Sequence, residues 1–158
     1  MKRPWNRVDL PVYSVSSRHG MEKNMHICTY VSAVSMQPKR MMVALFKGTK
    51  TLELVSKEYH FVLQLLSSDQ HNLIKHLGQI SGNNKNKLAL LEKRSLTAVW
   101  KGFTVLKNAL AYMELSTINT MDAGDHVIHL CDVKSFYNNL SGEALTLNLL
   151  RKKGLIRG

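Results

Sequence analysis

The 158 residues are 44% hydrophobic and 21% charged, a globular composition that excludes a disordered chain. No apolar run approaches the roughly 20 residues of a membrane-spanning helix, and the basic N-terminus lacks the apolar stretch of a signal peptide. We therefore expect a cytoplasmic protein with no membrane association. The length suits one core, so residues 1–158 are interpreted as a single domain.

The formal charge of +11 would suit a nucleic acid, an acidic partner or a phosphorylated ligand. The basic residues are scattered along the chain, and the aromatic residues are not interleaved with them as they are on a base-stacking surface. This distribution disfavours nucleic acid as a partner. A solvated basic surface is the simpler interpretation.

The first half of the chain is rich in strand patterns. Apolar runs, alternating or continuous, predict strands over residues 11–17, 41–46 and 60–66. Residues 25–36 predict either two short strands or one strand with a bend. Between the strands at 41–46 and 60–66, Thr49 is a candidate N-cap of a short amphipathic helix.

Helix and loop signals follow these strands. The spacing of Ser67 and Gln70 predicts a capping box for a second short helix, and Gly78 is a natural stop for it. Residues 81–87, SGNNKNK, have the composition of an exposed loop within the domain.

The second half predicts a long hairpin. Strands over residues 108–120 and 126–137 are joined by a turn at 121–125, whereas residues 145–158 fit a helix or a strand. The sequence thus predicts a mainly β chain of six or seven strands with two or three short helices. Antiparallel strands of this length are most readily protected at their edges by closing into a barrel.

No metal or nucleophile constellation stands out. His126, His129 and Cys131 lie close in sequence, but the alternation of a strand places His126 on the face opposite the other two, and two ligands do not make a site. We expect no metal. Cys28 and Cys131 lie in apolar patterns typical of buried thiols in a reducing compartment. Nucleophile-elbow, dinucleotide and Walker motifs are all absent from the sequence.

Two segments do indicate ligand binding. In TYVSAVSMQPK, residues 29–39, small hydroxyl residues alternate with apolar ones, as if a flat group with polar edges lay against the strand. In KGTKT, residues 47–51, hydroxyls, ammonium groups and free backbone N–H groups meet at a predicted helix start and could bind a phosphate. The alternative for KGTKT is an N-cap flanked by exposed lysines.

The order of these segments resembles the flavin reductase-like family, whose fold is the FMN-binding split β-barrel. The resemblance covers about residues 10–137 and depends on the hydroxyl-rich strand, the strand–helix–strand of residues 41–66 and the sequence GDH at residues 124–126. It implies a homodimer with FMN, or alternatively FAD, at the interface.

The resemblance also implies which residues bind the cofactor. The hydroxyl-rich strand and its turn would lie along the isoalloxazine ring, and KGTKT would hold the phosphate. The implied cofactor-binding residues are Thr29, Tyr30, Val31, Ser32, Ser35, Met36, Pro38, Lys47, Thr49, Lys50, Thr51 and Gln64. His126 would lie near the flavin and the nicotinamide site as the catalytic residue. The alternative for His126 is a strand-end histidine bonded to a turn.

Three positions depart from the family pattern. Lys39 follows Pro38 where a second proline is common, Gln64 stands where the family often has Asn, and Val105-Leu106 replaces Pro-Leu. These positions bear on substrate preference more than on the fold.

The function implied by the resemblance is an NAD(P)H-dependent flavin reductase, which passes a hydride from the nicotinamide to the flavin and then electrons to an acceptor. One alternative is an FMN-binding electron carrier or ferric reductase without its own pyridine-nucleotide site. Another is a basic barrel that binds nucleic acid and no flavin.

Overall fold

A computed structural model describes residues 3–78 and 86–157, which contain nine strands. Seven of them form one antiparallel sheet in the order β2-β1-β5-β8-β9-β4-β3, and β6 and β7 form a separate hairpin. The strands are β1 (Tyr13–His19), β2 (Glu22–Cys28), β3 (Val31–Ser35), β4 (Arg40–Phe46), β5 (His60–Leu65), β6 (Thr97–Trp100), β7 (Phe103–Leu106), β8 (Ala111–Asp122) and β9 (His126–Asn138).

Four short α-helices lie on the connections of the described ranges. They are α1 (Lys50–Glu58), α2 (Ile74–Gly78), α3 (Lys87–Lys93) and α4 (Leu147–Lys152), and 3-10 turns cover Pro4–Asn6 and Ser68–Leu73. None of these described helices has the length and apolar character needed to cross a membrane.

The local helix signals are confirmed. The Thr49 hydroxyl accepts a hydrogen bond from the backbone N–H of Leu52 at 3.2 Å and thereby caps α1. Ser67 and Gln70 form the predicted capping box, although the helix that it starts is a 3-10 turn that continues into α2. Most of the predicted loop, residues 81–85, lies outside the described residues.

The structure decides the open alternatives and corrects some bounds and counts. The two-strand alternative for residues 25–36 is confirmed, with the break at Thr29 and Tyr30, whereas the turn of the long hairpin is shorter than predicted because β8 continues to Asp122. The ambiguous C-terminal segment is helical in α4. The helix count and the strand count were both too low, because α3 and the β6–β7 hairpin are short elements without a long periodic pattern.

The sheet curls so that its edge strand β2 approaches β4, next to the opposite edge. The edge strands β2 and β3 are consecutive in the chain and are joined by Thr29 and Tyr30. At this junction the Cys28 thiol donates to the carbonyl of Ala44 in β4 at 3.5 Å, and the N–H of Ala44 donates to the carbonyl of Tyr30 at 2.9 Å. The predicted barrel is therefore present, with a gap where the end of β2 approaches β4.

Alternating residues of β5 divide the apolar residues into two clusters, one on each face of the sheet. Phe61 and Leu63 belong to the cluster inside the curl, whereas Val62 belongs to the outer cluster under the β6–β7 hairpin and the short helices. The inner cluster comprises Val15, Cys28, Met41, Val43, Leu45, Val55, Phe61, Leu63, Leu115 and Cys131.

Candidate functional site

The hydroxyl-rich segment forms the exposed edge strand of the sheet. In the described chain β3 pairs only with β4, and Ser32, Ala33 and Val34 are exposed. The turn after β3 is exposed as well, with Met36 at 88%. This edge therefore offers unpaired backbone groups and small side chains to a ligand or a partner.

Three aromatic rings meet at the end of β4. The His126 ring lies 5.0 Å from the ring of Tyr30 and 5.3 Å from that of Phe46, and these two neighbours are 55% and 48% exposed. His126 Nδ1 lies 2.6 Å from a carboxylate oxygen of Asp125. Because Asp125 occupies Nδ1, the other ring nitrogen, Nε2, is left for a contact with a ligand.

Two adjoining clefts lie beside these rings, and we call them together the Tyr30–His126 cleft. One part, of about 200 Å³, extends between β2 and β4, and the other, of about 380 Å³, extends over the outer face of β4 and β9. Both parts are lined by Thr29, Tyr30, Ala44 and His126. The larger part falls within the range of about 300–1,000 Å³ typical of small-molecule sites.

His26 is a cleft residue that the sequence reasoning missed. It lines the smaller part of the cleft, and its buried Nδ1 has no hydrogen-bond partner in the described chain. Burial first, and then the nearby Lys87 and His126, lower the pKa of His26 to about 4, so the ring is neutral at pH 7. No sequence signal points to His26, because only the curl of the sheet brings β2 against β4.

The two lysines at the start of α1 are engaged in ion pairs. Lys47 Nζ lies 2.5 Å from the Asp122 carboxylate, and Lys50 contacts both Glu22 and, at 3.1 Å, Glu53. Hydrogen bonds from Lys50, to Glu22 first and then to Glu53, raise its pKa. A phosphate at this helix start would have to share these lysines with carboxylates.

Two predicted cofactor-binding side chains point into the protein. The hydroxyl of Thr51 is buried and accepts a hydrogen bond from Asn24 Nδ2 at 3.0 Å. Gln64 is buried too, and its Oε1 accepts from the backbone N–H of Leu106 at 2.6 Å. Their part in cofactor binding stays a prediction, and in this structure neither side chain lines the Tyr30–His126 cleft.

The remaining predicted residues lie in three places. Thr29, Tyr30 and Val31 line the cleft with His126, whereas the rest of the hydroxyl-rich segment continues along the exposed edge and its turn. The edge and turn residues are Ser32, Ser35, Met36 and Pro38. Thr49 lies at the cap of α1, where its hydroxyl also donates to the carbonyl of Phe46 at 2.8 Å.

His129 and Cys131 share a face of β9, as the strand alternation predicts. Both contact the hydroxyl of Thr117, at 3.1 Å from His129 Nδ1 and 3.8 Å from Cys131 Sγ. Across residues 3–78 and 86–157, no three histidine, cysteine or acidic side chains are grouped as they would be to hold a metal ion.

The curled sheet with exposed edge β3 defines a split β-barrel of the flavin reductase type. The family described as flavin reductase like domain matches residues 5–153, so the chain belongs to this family.

Solved structures share the fold. An FMN-binding protein from Thermus thermophilus with bound 1-cyclohex-2-enone is 19% identical, with a TM-score of 0.77, over 88% of this chain and 76% of that one. The styrene monooxygenase flavin reductase from Pseudomonas putida S12 is 16% identical, with a TM-score of 0.73, over 88% of this chain and 86% of that one.

Curated relatives include longer proteins. Diflavin flavoprotein A 1 from Synechocystis sp. is 24% identical over 129 residues, which are 81% of this chain and 22% of the relative. High molecular weight rubredoxin from Moorella thermoacetica is 27% identical over 137 residues, which are 85% of this chain and 58% of the relative. The chain thus spans about a fifth of the length of the diflavin flavoproteins that it matches.

Proposed function

We propose that this oxidoreductase-family protein binds FMN in the Tyr30–His126 cleft and reduces it with NAD(P)H, acting as a flavin reductase in the cytoplasm. The observation that carries the proposal is the position of the cleft beside the exposed β3 edge. Flat aromatic walls and unpaired backbone groups are thereby combined in one place. A tricyclic ring with polar edges needs both.

The chain's residues fit a flavin at three points. Tyr30 and Phe46 offer half-exposed ring surfaces for stacking, and the unpaired N–H groups of β3 can donate to the polar edge of the ring. His26 lines the smaller part of the cleft, so a ligand there would lie against its ring, whose Nδ1 is buried without a partner in the described chain. FMN bound there would supply the hydride and electron chemistry that amino-acid side chains do not provide.

His126 is the proposed catalytic residue. Asp125 holds it by Nδ1, and the rings of Tyr30 and Phe46 fix its plane. In this role Nε2 contacts the flavin or the nicotinamide and orients the two rings, while the closed site excludes water. No side-chain base is required, because hydride transfer needs positioning rather than proton abstraction.

A homodimer follows from the same proposal. The exposed edge of β3, with Val34 half-exposed and Met36 largely exposed, is the kind of strand edge that another chain covers. A second copy seated there would close the open side of the cleft. FMN would then lie at the interface between two protomers.

The second candidate function is an electron carrier fed by another protein. It is favoured by the relatives, since this chain matches one part of diflavin flavoproteins and of a high molecular weight rubredoxin. A flavin-binding unit within such proteins is expected to exchange electrons with neighbouring redox domains. In this form, the chain would hold FMN without a productive pyridine-nucleotide site.

The test is an absorbance titration of the purified protein with FMN, followed by anaerobic addition of NADH and then NADPH. The reductase predicts flavin bands that bleach with one nicotinamide and identifies the donor. Bound flavin that stays oxidised with both would support the carrier. FAD is titrated in parallel, because the cofactor choice between FMN and FAD is part of the proposal.

Failure to bind either flavin would contradict both candidates. A parallel measurement of DNA and RNA binding over a range of salt concentrations would then test the basic barrel. Nucleic-acid binding through phosphate contacts weakens steeply as the salt concentration rises.

A further inference from the structure

Within the described chain, the side chains that line the smaller part of the cleft are neutral or positive, and none is a carboxylate. His26, on β2, carries a buried Nδ1 without a partner in the described chain. Lys87, at the start of α3, does not line the cleft, but its charge acts on His26. It is 2% exposed, donates to the carbonyl of Leu77 at 2.8 Å and forms no ion pair with a described carboxylate, and burial lowers its pKa to about 8. A buried ammonium without a counter-ion is costly, and it favours an anionic ligand nearby.

The groups that face His26 from each neighbouring element support this reading. From α3 comes the positive charge of Lys87, and from β9 comes His126, whose carboxylate partner in the described chain, Asp125, is largely exposed. On β2 itself, burial raises the pKa of the Cys28 thiol to about 12, so Cys28 is neutral. The lining residues of β4 are Ala44, Leu45 and Phe46, which carry no charge.

The start of α1 contributes no net negative charge to this part of the cleft. Asn24, two residues before His26 on β2, contacts Thr51, which places the start of α1 next to this strand. Lys50, at that start, is held by Glu22 and Glu53. Among residues 3–78 and 86–157, the ionisable groups that face the smaller part of the cleft are therefore neutral, positive or already paired.

We propose that His26 contacts the phosphate of the bound flavin and takes up one proton from solvent as the phosphate binds. This inference rests on the proposed function and adds a residue and a proton to it. In the empty cleft the ring is neutral, because burial and positive neighbours oppose a further charge. A phosphate dianion beside the ring reverses that balance and stabilises the imidazolium by a charge-assisted hydrogen bond.

The sign of the pH dependence follows from this balance. The free protein has a His26 pKa of about 4, and the pKa rises when the anion binds. Protons are therefore taken up on binding at any pH between the two values, and the affinity for FMN increases as the pH falls through that window. Riboflavin, which lacks the phosphate, should bind without this proton.

The experiment is isothermal titration calorimetry at pH 6.5 in two buffers with different ionisation enthalpies. FMN and riboflavin are titrated into the unaltered protein, His26→Gln and the matched control His19→Gln. His19 is a suitable control because it lies on β1, is exposed and is paired with Glu58 at 2.9 Å, outside the cleft. The two buffers together give the number of protons taken up per bound ligand.

We expect the unaltered protein and His19→Gln to take up about 0.5 proton or more with FMN beyond the value for riboflavin. His26→Gln should lose this difference and bind FMN about ten- to hundred-fold more weakly, with unchanged riboflavin affinity. An unchanged riboflavin affinity shows that His26→Gln is folded. The number of protons taken up by the unaltered protein tests the inference even without a variant.

Two results overturn the inference in different ways. FMN binding with no extra proton, or with equal affinity in His26→Gln, would remove His26 from the phosphate site and leave the flavin proposal standing. Failure of the unaltered protein to bind either flavin would overturn the proposed function and this inference together.

Discussion

His60 and His26 are both partly buried histidines of the same sheet, but their surroundings differ. His60 Nε2 lies 3.0 Å from a Glu114 oxygen, the other Glu114 oxygen accepts from Ser135 at 2.5 Å, and the His60 ring packs edge-on against Phe103 at 5.3 Å. His26 has no carboxylate partner, its Nδ1 is unpaired in the described chain, and a cleft lies beside it.

The difference separates structural polar groups from ligand-binding ones. A cluster in which each polar atom has a protein partner stabilises the fold and has nothing left for a ligand. An unpaired polar atom next to a cleft can gain a partner only from outside the chain. On this comparison the His60 side serves the fold, and we propose that the His26 side serves ligand binding.

The largest expected loss of stability comes from truncating a side chain inside the barrel rather than one at the cleft. Phe61 is 0% exposed, and its ring meets the His129 ring edge-on at 6.4 Å. Phe61→Ala should lower the free energy of unfolding by about 3–5 kcal/mol, measured by urea denaturation. Phe46→Ala, at the cleft, should cost about 1 kcal/mol or less and weaken FMN binding instead. Equal stability losses in the two variants would erase this distinction.

His129 sharpens the comparison because its unpaired nitrogen is buried and the residue does not line the Tyr30–His126 cleft. It is 1% exposed, its Nε2 lacks a described partner, and burial lowers its pKa from 6.5 to about 4. Between pH 6.5 and about 4, His129 is protonated in the unfolded chain but not in the folded chain. The free energy of unfolding therefore falls as the pH drops through this range.

The expected loss from His129 is about 3 kcal/mol by pH 4. His129→Gln removes this titrating group, so its stability should decline less over the same range. Urea denaturation of both proteins at several pH values checks the slope. If the free energy of unfolding falls equally with pH in both proteins, the pKa of His129 is not lowered by folding.

Thr51 tests whether a hydroxyl at the start of α1 serves the fold or the ligand. It is buried and bonded to Asn24, so Thr51→Val should lower the free energy of unfolding by about 1–3 kcal/mol and leave FMN affinity unchanged. Thermal unfolding and an FMN titration measure the two quantities. Lost affinity at full stability would instead place the hydroxyl at the phosphate.

The smallest effect on stability is expected in the cluster of His60, Glu114 and Ser135, whose side chains bond to one another. The hydrogen bond from Ser135, with a further contribution from His60, lowers the pKa of Glu114, so its stabilisation is full above pH 4.5 and is lost as the pH falls below that value. Glu114→Gln should cost about 1 kcal/mol at pH 7 and nothing at low pH. An accompanying loss of FMN affinity would show that this cluster also serves the ligand.

Local elements were predictable from the sequence where their signals are local. The α1 cap at Thr49 and the Ser67–Gln70 capping box depend on residues within one turn of each other. The β6–β7 hairpin was missed because its two-residue turn is Lys101-Gly102 rather than the Asn-Gly or Asp-Gly that usually marks a hairpin, although both residues adopt the positive φ that such a turn requires.

The candidate site was predictable only in part. Tyr30 and His126 were implied by a family resemblance, and the structure brings their rings together. The inward direction of Thr51 depends on how α1 packs against β2, and the role of His26 depends on the approach of β2 to β4. Both are consequences of tertiary packing that no local spacing encodes.

The central claim, that the Tyr30–His126 cleft is the flavin site, is tested most directly by one titration on matched variants. Tyr30 and Tyr137 are 55% and 51% exposed, and each contacts another ring, His126 and Tyr112 respectively. The absorbance of FMN is followed as it binds to the unaltered protein, Tyr30→Ala and Tyr137→Ala. The account predicts that Tyr30→Ala binds FMN at least about ten-fold more weakly while Tyr137→Ala binds it normally. Equal affinities in the two variants, or a loss confined to Tyr137→Ala, would contradict the account.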